Sequence, residues 1–244
     1  MAKPIYKYIP NFLTLSNGLF GALSIVMYLT VSLEAALGCI AVSLIADVLD
    51  GMTARLLHAT SDIGGDLDSL SDVISFGAAP AILLTLVLRG LGWGVACWAP
   101  LLVVPASIYR LAKFNNDPRQ TTSFIGLATT GNAVMLAPLA LFFESHSVAP
   151  TPIYQTLFVL FMIVDAWLLV CEVPFFGLKQ LSKGWRANIG LIIVVFAAIV
   201  ALILFGIEGI AWAMMLYILL NLITWLTHKL SLIHISEPTR LLSI

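Results

Sequence analysis

The sequence predicts an all-α integral membrane protein, a polytopic helical bundle with about eight transmembrane helices. Its composition is the first reason: 60% of the 244 residues are hydrophobic and only 10% are charged, whereas a soluble domain carries about 25% charged residues. The mean hydropathy of +1.02 agrees with a chain that is dissolved in lipid. The second reason is that the apolar residues form separate segments, each close to the roughly 20 residues that cross a bilayer.

Eight apolar segments can be drawn, and short polar or glycine-containing turns separate them. Gly90 follows the third segment, polar runs at 144–152 and 177–186 follow the fifth and sixth, and Gly206 precedes the last. Trp93, near the start of the fourth segment, is expected to anchor that end at the membrane interface. The predicted spans are 11–31, 34–57, 70–89, 93–114, 129–145, 152–172, 188–206 and 209–229.

The two ends of the chain are interpreted differently from the spans. Residues 1–10 contain two prolines and no small-residue cleavage site, so they predict an interfacial segment rather than a cleaved signal peptide. Residues 230–244 resemble the translated read-through of a sequencing adapter, and we interpret them as a non-native tail. The membrane domain is therefore expected over residues 1–229, with its functional core at 34–114.

The distribution of lysine and arginine predicts the orientation of the bundle. With the N-terminus in the cytoplasm, ten basic residues fall on the cytoplasmic side and only Arg89 falls on the opposite side. Because cytoplasmic loops carry the excess of basic residues, both termini are expected to be cytoplasmic. The formal net charge of −1 gives no indication of a nucleic-acid partner.

The segment 47–72 places four aspartates on two consecutive predicted helices. On the first helix, two carboxylates and two small residues share one face at spacings i, i+3, i+4 and i+7: Asp47, Asp50, Gly51 and Ala54. On the second helix, three residues share a stripe at i, i+4 and i+8: Gly64, Asp68 and Asp72. If the two stripes face each other, the converging charges repel strongly. Two divalent cations, Mg²⁺ or Mn²⁺, would neutralise them, because these hard ions prefer oxygen ligands.

The residues around the aspartates favour a phosphorylated substrate. Arg55 follows Ala54 directly and can present a forked pair of donors to a phosphate. The small side chains of Gly51 and Ala54 leave room for a flat or bulky ligand to approach the backbone. The positive-inside rule places this segment at the cytoplasmic face of the cell membrane, where soluble substrates have access. The residues alone therefore predict a metal-dependent reaction on a phosphorylated substrate.

The complete spacing D-x2-D-G-x2-A-R-x8-G-x3-D-x3-D is similar to the signature of the CDP-alcohol phosphotransferases, and every fixed position is present. The resemblance implies an integral membrane enzyme with a six-helix core, here with two further helices, that forms a homodimer. It implies transfer of a phosphatidyl group from a CDP-linked lipid to an alcohol, with release of CMP. By the same resemblance, two metals are held by Asp47, Asp50, Asp68 and Asp72, with Asp72 also the general base. The implied CDP contacts are Gly51, Ala54, Arg55, Thr14 and Asn17, the last two from the segment PNFLTLSN.

The sequence resembles the serine-using branch of this family more closely than its other branches. The segments VISFGAAPA after Asp72, YRLAKFNND at 109–117 and FIGLATTGNA at 124–133 carry this likeness. Val73 stands where the glycerophosphate-using relatives usually have lysine, while Lys113 and Ala128 replace the more common arginine and proline. The resemblance thus implies CDP-diacylglycerol and L-serine as substrates, within a lipid membrane. Candidates for binding serine are Arg110, Lys113 and Asn115.

Two other functions are weighed against this one. The same chemistry on another alcohol, glycerol 3-phosphate or an inositol phosphate, is the first alternative. The second is a divalent-cation transporter, which would distribute acidic residues through the depth of the membrane. Here the acids cluster at one face, and Asp165 in the sixth predicted span is the exception. We expect Asp165 to be a buried hydrogen-bonding residue between helices.

Overall fold

The computed structural model describes residues 8–58, 61, 63–116, 126–173, 175 and 189–236. All regular secondary structure within these ranges is helical, which confirms the all-α prediction. The α-helices are α1 (Ile9–Thr30), α2 (Leu33–Leu56), α3 (Gly64–Asp72), α4 (Ala79–Gly90), α5 (Val103–Asn116), α6 (Thr129–His146), α7 (Pro152–Val170), α8 (Ile189–Phe205) and α9 (Gly209–Ser236). Six helical stretches in the described part are long and apolar enough to cross a membrane.

The helix boundaries follow from local sequence signals. Pro10 lies in the first turn of α1, where its missing N–H costs nothing. Ser32 has an extended backbone and caps α2, since its hydroxyl accepts a hydrogen bond from the Ala35 backbone N–H at 3.2 Å. Thr151 caps α7 in the same way. The first two predicted spans are therefore helical hairpin partners that the chain joins through a short, capped turn.

The third predicted span begins earlier than expected and contains an irregular turn. Helix α3 starts at Gly64, and a π-helical turn at Val73–Ala78 connects it to α4. Pro80 lies in the first turn of α4 and has no backbone N–H to donate, which disfavours a regular α-helical ladder there. Such wide turns occur frequently at functional sites, and this one directly follows Asp72.

The fourth predicted span is not one regular helix. A 3₁₀ helix covers Gly94–Leu102 before α5 begins, and Pro100 lies inside it. Trp93, predicted as an interfacial anchor, is instead 1% exposed and packs edge-on against Phe143 and Phe158, with ring centroids 5.1 and 5.5 Å away. Its indole nitrogen donates to the Val148 carbonyl at 3.0 Å, which satisfies the buried polar group.

Helix α1 packs along α2 and also contacts α3 and the π-helical turn. Two glycines of α1 allow it to approach α3 and the π-helical turn closely. A Cβ at Gly21 would lie 2.4 Å from the Ser75 Cα, and one at Gly18 would lie 3.2 Å from the Ser71 hydroxyl. Only glycine permits the approach at residue 21, so the register between α1 and the π-helical turn is tightly specified.

Contacts between helix ends define two opposite ends of the bundle. At one end, Lys113 near the end of α5 pairs with Glu172 after α7, and the Leu127 N–H donates to the Leu168 carbonyl. At the other, the indole of Trp93 reaches Val148 after α6. His146 and Glu208 also approach there, at 3.5 Å. The aspartate-bearing end of α2 and the start of α3 belong to the first of these ends.

The last two helices pack against each other after a tight link. Gly206 has a φ of +60°, which favours glycine. A Cβ at Gly209 would lie 2.1 Å from the Ala201 carbonyl oxygen, so glycine is also required for the start of α9. Helix α9 continues to Ser236 and so includes a portion of the segment that we interpret as a non-native tail.

Candidate active site

Three aspartates from two helices converge near one end of the bundle. Asp47 and Asp50 on α2 and Asp68 on α3 each offer a carboxylate oxygen, and these oxygens lie within 4.8 Å of one another. Oxygen atoms on opposite sides of a bound Mg²⁺ or Ca²⁺ ion are about 4 to 5 Å apart. The donor set contains only oxygen, which suits hard divalent cations. The residues present therefore fit a divalent metal site.

Asp72 lies one helical turn beyond Asp68 and is 8% exposed. It is not a member of the closest group of three, but its charge interacts with those of Asp47 and Asp68. The helical spacing predicted from the sequence thus brings all four aspartates into electrostatic range. Four carboxylates in a largely buried setting repel one another unless cations offset them.

The side chain of Asn17, on α1, is hydrogen-bonded to Asp72. Its side-chain amide donates to Asp72 Oδ1 at 3.0 Å, and the residue is 0% exposed. The Ser75 hydroxyl lies 2.6 Å from Asn17 Oδ1, and the Ser43 hydroxyl lies 2.5 Å from the same oxygen. One amide therefore connects α1, α2 and the π-helical turn while it orients a carboxylate oxygen.

Thr14, about one turn before Asn17 on α1, supports another aspartate in a comparable way. Its hydroxyl lies 2.6 Å from Asp50 Oδ2 and 3.0 Å from the Pro10 carbonyl oxygen. A hydroxyl so close to a carboxylate donates its proton to it and fixes that oxygen. Helix α1 thus contacts one aspartate of each stripe.

A cavity of about 220 Å³ opens beside the converging aspartates, and Asp50 and Asp68 line it. A Cβ added at Gly51 or Gly65 would meet no atom within 4 Å, so both glycines keep this space free for a ligand. The lining residues are Pro10, Asn11, Thr14, Asp50, Gly51, Ala54, Ser61, Gly64, Gly65 and Asp68.

The predicted nucleotide contacts occupy different positions around this cavity. Thr14, Gly51 and Ala54 line it. Arg55 is exposed and does not line the cavity. Its Nε donates to the Gly51 carbonyl at 2.9 Å. Asn17 does not line the cavity, because its amide lies beneath the carboxylates.

The three residues predicted to bind the serine acceptor also lie in different surroundings. Arg110 on α5 is 8% exposed, donates from Nη1 to the Thr129 hydroxyl at 3.1 Å and interacts electrostatically with Asp72. Lys113 lies nearer the bundle end and pairs with Glu172 at 2.9 Å. Asn115 is exposed and donates to the Ser69 hydroxyl at 2.8 Å. Of these three, Arg110 is the buried residue whose charge interacts with Asp72.

Ser43 and Ser75 were not predicted from the sequence as site residues, although helical spacing relates each of them to an aspartate. Ser43 precedes Asp47 by four residues and therefore continues the aspartate face of α2 by one turn. Ser75 follows Asp72 by three residues and continues the aspartate stripe of α3 into the π-helical turn.

Apolar helices and a convergent carboxylate cluster together define a helical membrane protein with an acidic site suited to divalent cations. More narrowly, the chain belongs to the CDP-alcohol phosphatidyltransferase family, whose model matches residues 7–177. This confirms the family predicted from the aspartate signature and makes the protein a member of a transferase family. Members of this family generally use divalent cations.

Curated relatives extend the similarity beyond the motif. A CDP-diacylglycerol–serine O-phosphatidyltransferase of Helicobacter pylori is 29% identical over 233 residues, covering 92% of this chain and 93% of the relative. One of Bacillus subtilis is 36% identical over 123 residues, covering 50% and 68%. An archaetidylserine synthase of Methanothermobacter thermautotrophicus is 35% identical over 139 residues, covering 55% and 59%.

Proposed function

We propose that the protein transfers a phosphatidyl group from CDP-diacylglycerol to L-serine and releases CMP. The observation that carries the proposal is the group of three converging aspartates, two of which line a cavity, with Asp72 interacting electrostatically both with them and with the buried Arg110. The similarity to a serine O-phosphatidyltransferase over 93% of that relative's length supports serine as the acceptor.

The four aspartates would hold two divalent cations, Mg²⁺ or Mn²⁺. When bound, such cations neutralise the carboxylates and the charge on the transferred phosphate and its leaving oxygen. Asp72 accepts the proton of the serine hydroxyl, and the serine oxygen forms a bond to the lipid-side phosphorus. The bond from that phosphorus to the CMP oxygen breaks. A carboxylate is a weak base for an alcohol, so proton transfer accompanies bond formation rather than preceding it.

The remaining site residues bind and orient. Thr14, Gly51 and Ala54 contact the CDP moiety in the cavity, and Arg55 reaches its phosphates by rotating away from the Gly51 carbonyl. Arg110 pairs with the carboxylate of serine, which places the hydroxyl beside Asp72. Asn17 holds Asp72 in the orientation that accepts the proton.

We further propose eight spans, cytoplasmic termini, a site at the cytoplasmic face of the cell membrane, and a homodimer. The spans are supported by eight apolar helical segments and by contacts that alternate between two bundle ends. Lys113 and Arg110 lie at the aspartate end, whereas Glu208 and His146 lie at the other. This asymmetry supports the orientation predicted from basic residues.

CMP release by the purified full chain in liposomes tests this function. With CDP-diacylglycerol and Mg²⁺ or Mn²⁺, we expect release with L-serine and none with glycerol 3-phosphate or inositol phosphate. CDP-archaeol in place of CDP-diacylglycerol identifies an isoprenoid donor. Release with glycerol 3-phosphate but not with serine would refute the proposed acceptor, and metal uptake without lipid turnover would favour the transporter.

Two aspartate variants control that assay. Asp72→Asn is expected to abolish CMP release, because the residue can no longer accept a proton. Asp66→Asn changes an exposed aspartate of the same helix and should leave the rate unchanged.

A further inference from the structure

A group of polar atoms in α5, α6 and α7 is buried without any hydrogen-bond partner among the described residues. It comprises Ser107 Oγ, Arg110 Nε, both side-chain polar atoms of Asn132 and both carboxylate oxygens of Asp165. Buried polar atoms are nearly always paired, and an unpaired carboxylate between membrane helices is especially unfavourable. Such a concentration on three helices requires an explanation.

As expected, Asp165 on α7 is buried between helices and interacts with Asn132 on α6, but this contact is not a well-formed hydrogen bond. Asp165 is 2% exposed, and the amide of Asn132 lies close to it. The amide is near enough to stabilise the Asp165 carboxylate, but none of the four polar atoms of the two side chains has a partner at standard hydrogen-bond distance and angle. A residue whose purpose was to clamp α6 to α7 would complete that bond.

These groups lie at the depth of the carboxylate cluster rather than at the membrane centre. With a rise of about 1.5 Å per residue, Asp165 is about 8 Å from the end of α7, and Arg110 is about 9 Å from the end of α5. Those two helix ends meet through the ion pair of Lys113 with Glu172. By the same measure, Asp72 lies about 12 Å from the start of α3. Ser69 on α3 accepts a hydrogen bond from Asn115, next to the end of α5, at 2.8 Å. Asp72 lies three residues beyond Ser69 and is therefore about 6 Å inside the end of α5. Asp165 and Asp72 thus lie at similar depths, and Arg110 interacts with Asp72.

The buried polar groups of α5, α6 and α7, here called the buried polar layer, are suited to binding a zwitterion. Arg110 offers a cationic guanidinium with an unpaired Nε, while Asp165 and Asn132 offer three oxygens that accept hydrogen bonds. An amino acid carries a carboxylate for the first group and an ammonium for the second. Glycerol 3-phosphate and inositol phosphate carry no cation and would leave Asp165 uncompensated.

We propose that Asp165, together with Asn132, forms the subsite that binds the ammonium group of the acceptor amino acid. This inference rests on the proposed function and specifies the portion of the acceptor that each residue recognises. Arg110 holds the carboxylate, Asp165 and Asn132 hold the ammonium, and the hydroxyl is directed to Asp72.

Acceptor analogues separate binding of the ammonium from a structural role. CMP release is measured for the full chain in liposomes with L-serine and with 3-hydroxypropionate, which lacks only the ammonium. We expect Asp165→Asn, which preserves size, to raise the KM for serine about 10- to 100-fold, because a hydrogen bond to a charged group is lost. The KM for CDP-diacylglycerol should not change, and the preference for serine over 3-hydroxypropionate should fall by the same factor.

Thr85→Val is the matched control. The Thr85 hydroxyl is also buried without a partner in the described stretches of the chain, but it lies on α4. This variant should keep both the serine KM and the preference of the unaltered protein. A variant-independent measurement uses inhibition: L-alanine, which has both charges, should compete with serine at least about 10-fold more strongly than propionate does.

The outcomes distinguish this inference from the proposed function. If Asp165→Asn lowers the rate with both acceptors equally, or if alanine and propionate inhibit alike, the ammonium subsite is refuted while serine transfer stands. If the unaltered protein does not use serine at all, the proposed function fails and the subsite fails with it.

Discussion

Replacement of Asn17 by leucine separates two roles for this residue that make different kinetic predictions. The sequence suggests contact with the nucleotide, whereas the structure places the amide beneath the carboxylates with its N–H directed at Asp72. Asn17→Leu keeps the number of side-chain heavy atoms and the branching at Cγ, and it removes both polar atoms. Under the positioning role, the variant should lose kcat while it retains its KM for CDP-diacylglycerol.

The size of the effect follows from the hydrogen bonds that the substitution removes. The Ser43 hydroxyl can turn to the Asn17 backbone carbonyl at 2.7 Å, and the Ser75 hydroxyl can turn to the Ser71 carbonyl at 2.5 Å. Both hydroxyls therefore keep an acceptor, and the oxygen of Asp72 is the main group left without its partner. A hydrogen bond to a charged group contributes about 1.5–3 kcal/mol, which corresponds to roughly a 10- to 150-fold loss in kcat.

The assay is steady-state CMP release with CDP-diacylglycerol and serine varied separately. Ser24→Ala provides the control, because Ser24 is a buried α1 residue whose hydroxyl donates only to the Gly21 carbonyl of its own helix. It should change kcat less than about threefold, as expected for a local neutral hydrogen bond. An unchanged kcat with a raised KM for CDP-diacylglycerol in Asn17→Leu would refute positioning and support nucleotide contact.

Three further predictions concern packing, metal and the acceptor. Gly21→Ala should lower the free energy of unfolding by about 1–3 kcal/mol or more, because its methyl carbon would lie 2.4 Å from a backbone atom of the π-helical turn. Thermal unfolding in detergent measures this loss. Gly38→Ala is the control and should match the unaltered protein, because a Cβ at Gly38 would meet no atom within 4 Å. Chelation should abolish CMP release until Mg²⁺ or Mn²⁺ is restored, and Asp68→Asn should raise the metal concentration needed; full activity in chelator would contradict the metal site. Lys113→Met should change the serine KM less than about threefold, since exposed ion pairs contribute about 0–1 kcal/mol. Arg110→Gln should raise the serine KM more than about tenfold, because it loses a charged hydrogen-bond donor. Equal effects of the two variants would contradict the proposal that Arg110 binds serine.

Much of the site follows from helical periodicity alone. Asp47 and Asp50 share a face of α2, and Asp68 and Asp72 share a face of α3, because residues three or four positions apart lie on the same side of a helix; only the meeting of the two faces depends on tertiary packing. Most of the apolar segments likewise become helical close to their predicted bounds, except that the third begins earlier, at Gly64, and the fourth starts as a 3₁₀ helix. In both cases the relevant signal lies within a single short window of sequence.

Features that depend on how helices meet could not be predicted in this way. The role of Asn17 depends on the close approach of Gly21 to the π-helical turn, which only tertiary packing reveals. Trp93 has the position of an interfacial anchor in the sequence, but the 3₁₀ helix that follows it carries the ring into the core. Asp165 appeared isolated in the middle of a span, although the adjoining helix ends place it at the depth of the aspartate cluster.

The geometry divides the proposed reaction between two halves of the bundle that meet at Asp72. Helices α1 to α3 form the cavity and hold Asp50 through Thr14, whereas α5 to α7 carry Arg110 and the buried polar layer. Asp72 accepts a hydrogen bond from Asn17 of the first half and interacts electrostatically with Arg110 of the second half. Substitutions in the first half should therefore alter donor binding or kcat, and those in the second should alter which acceptor is used. Because Asp72 belongs to both, its loss should be the one change that no choice of donor or acceptor can compensate.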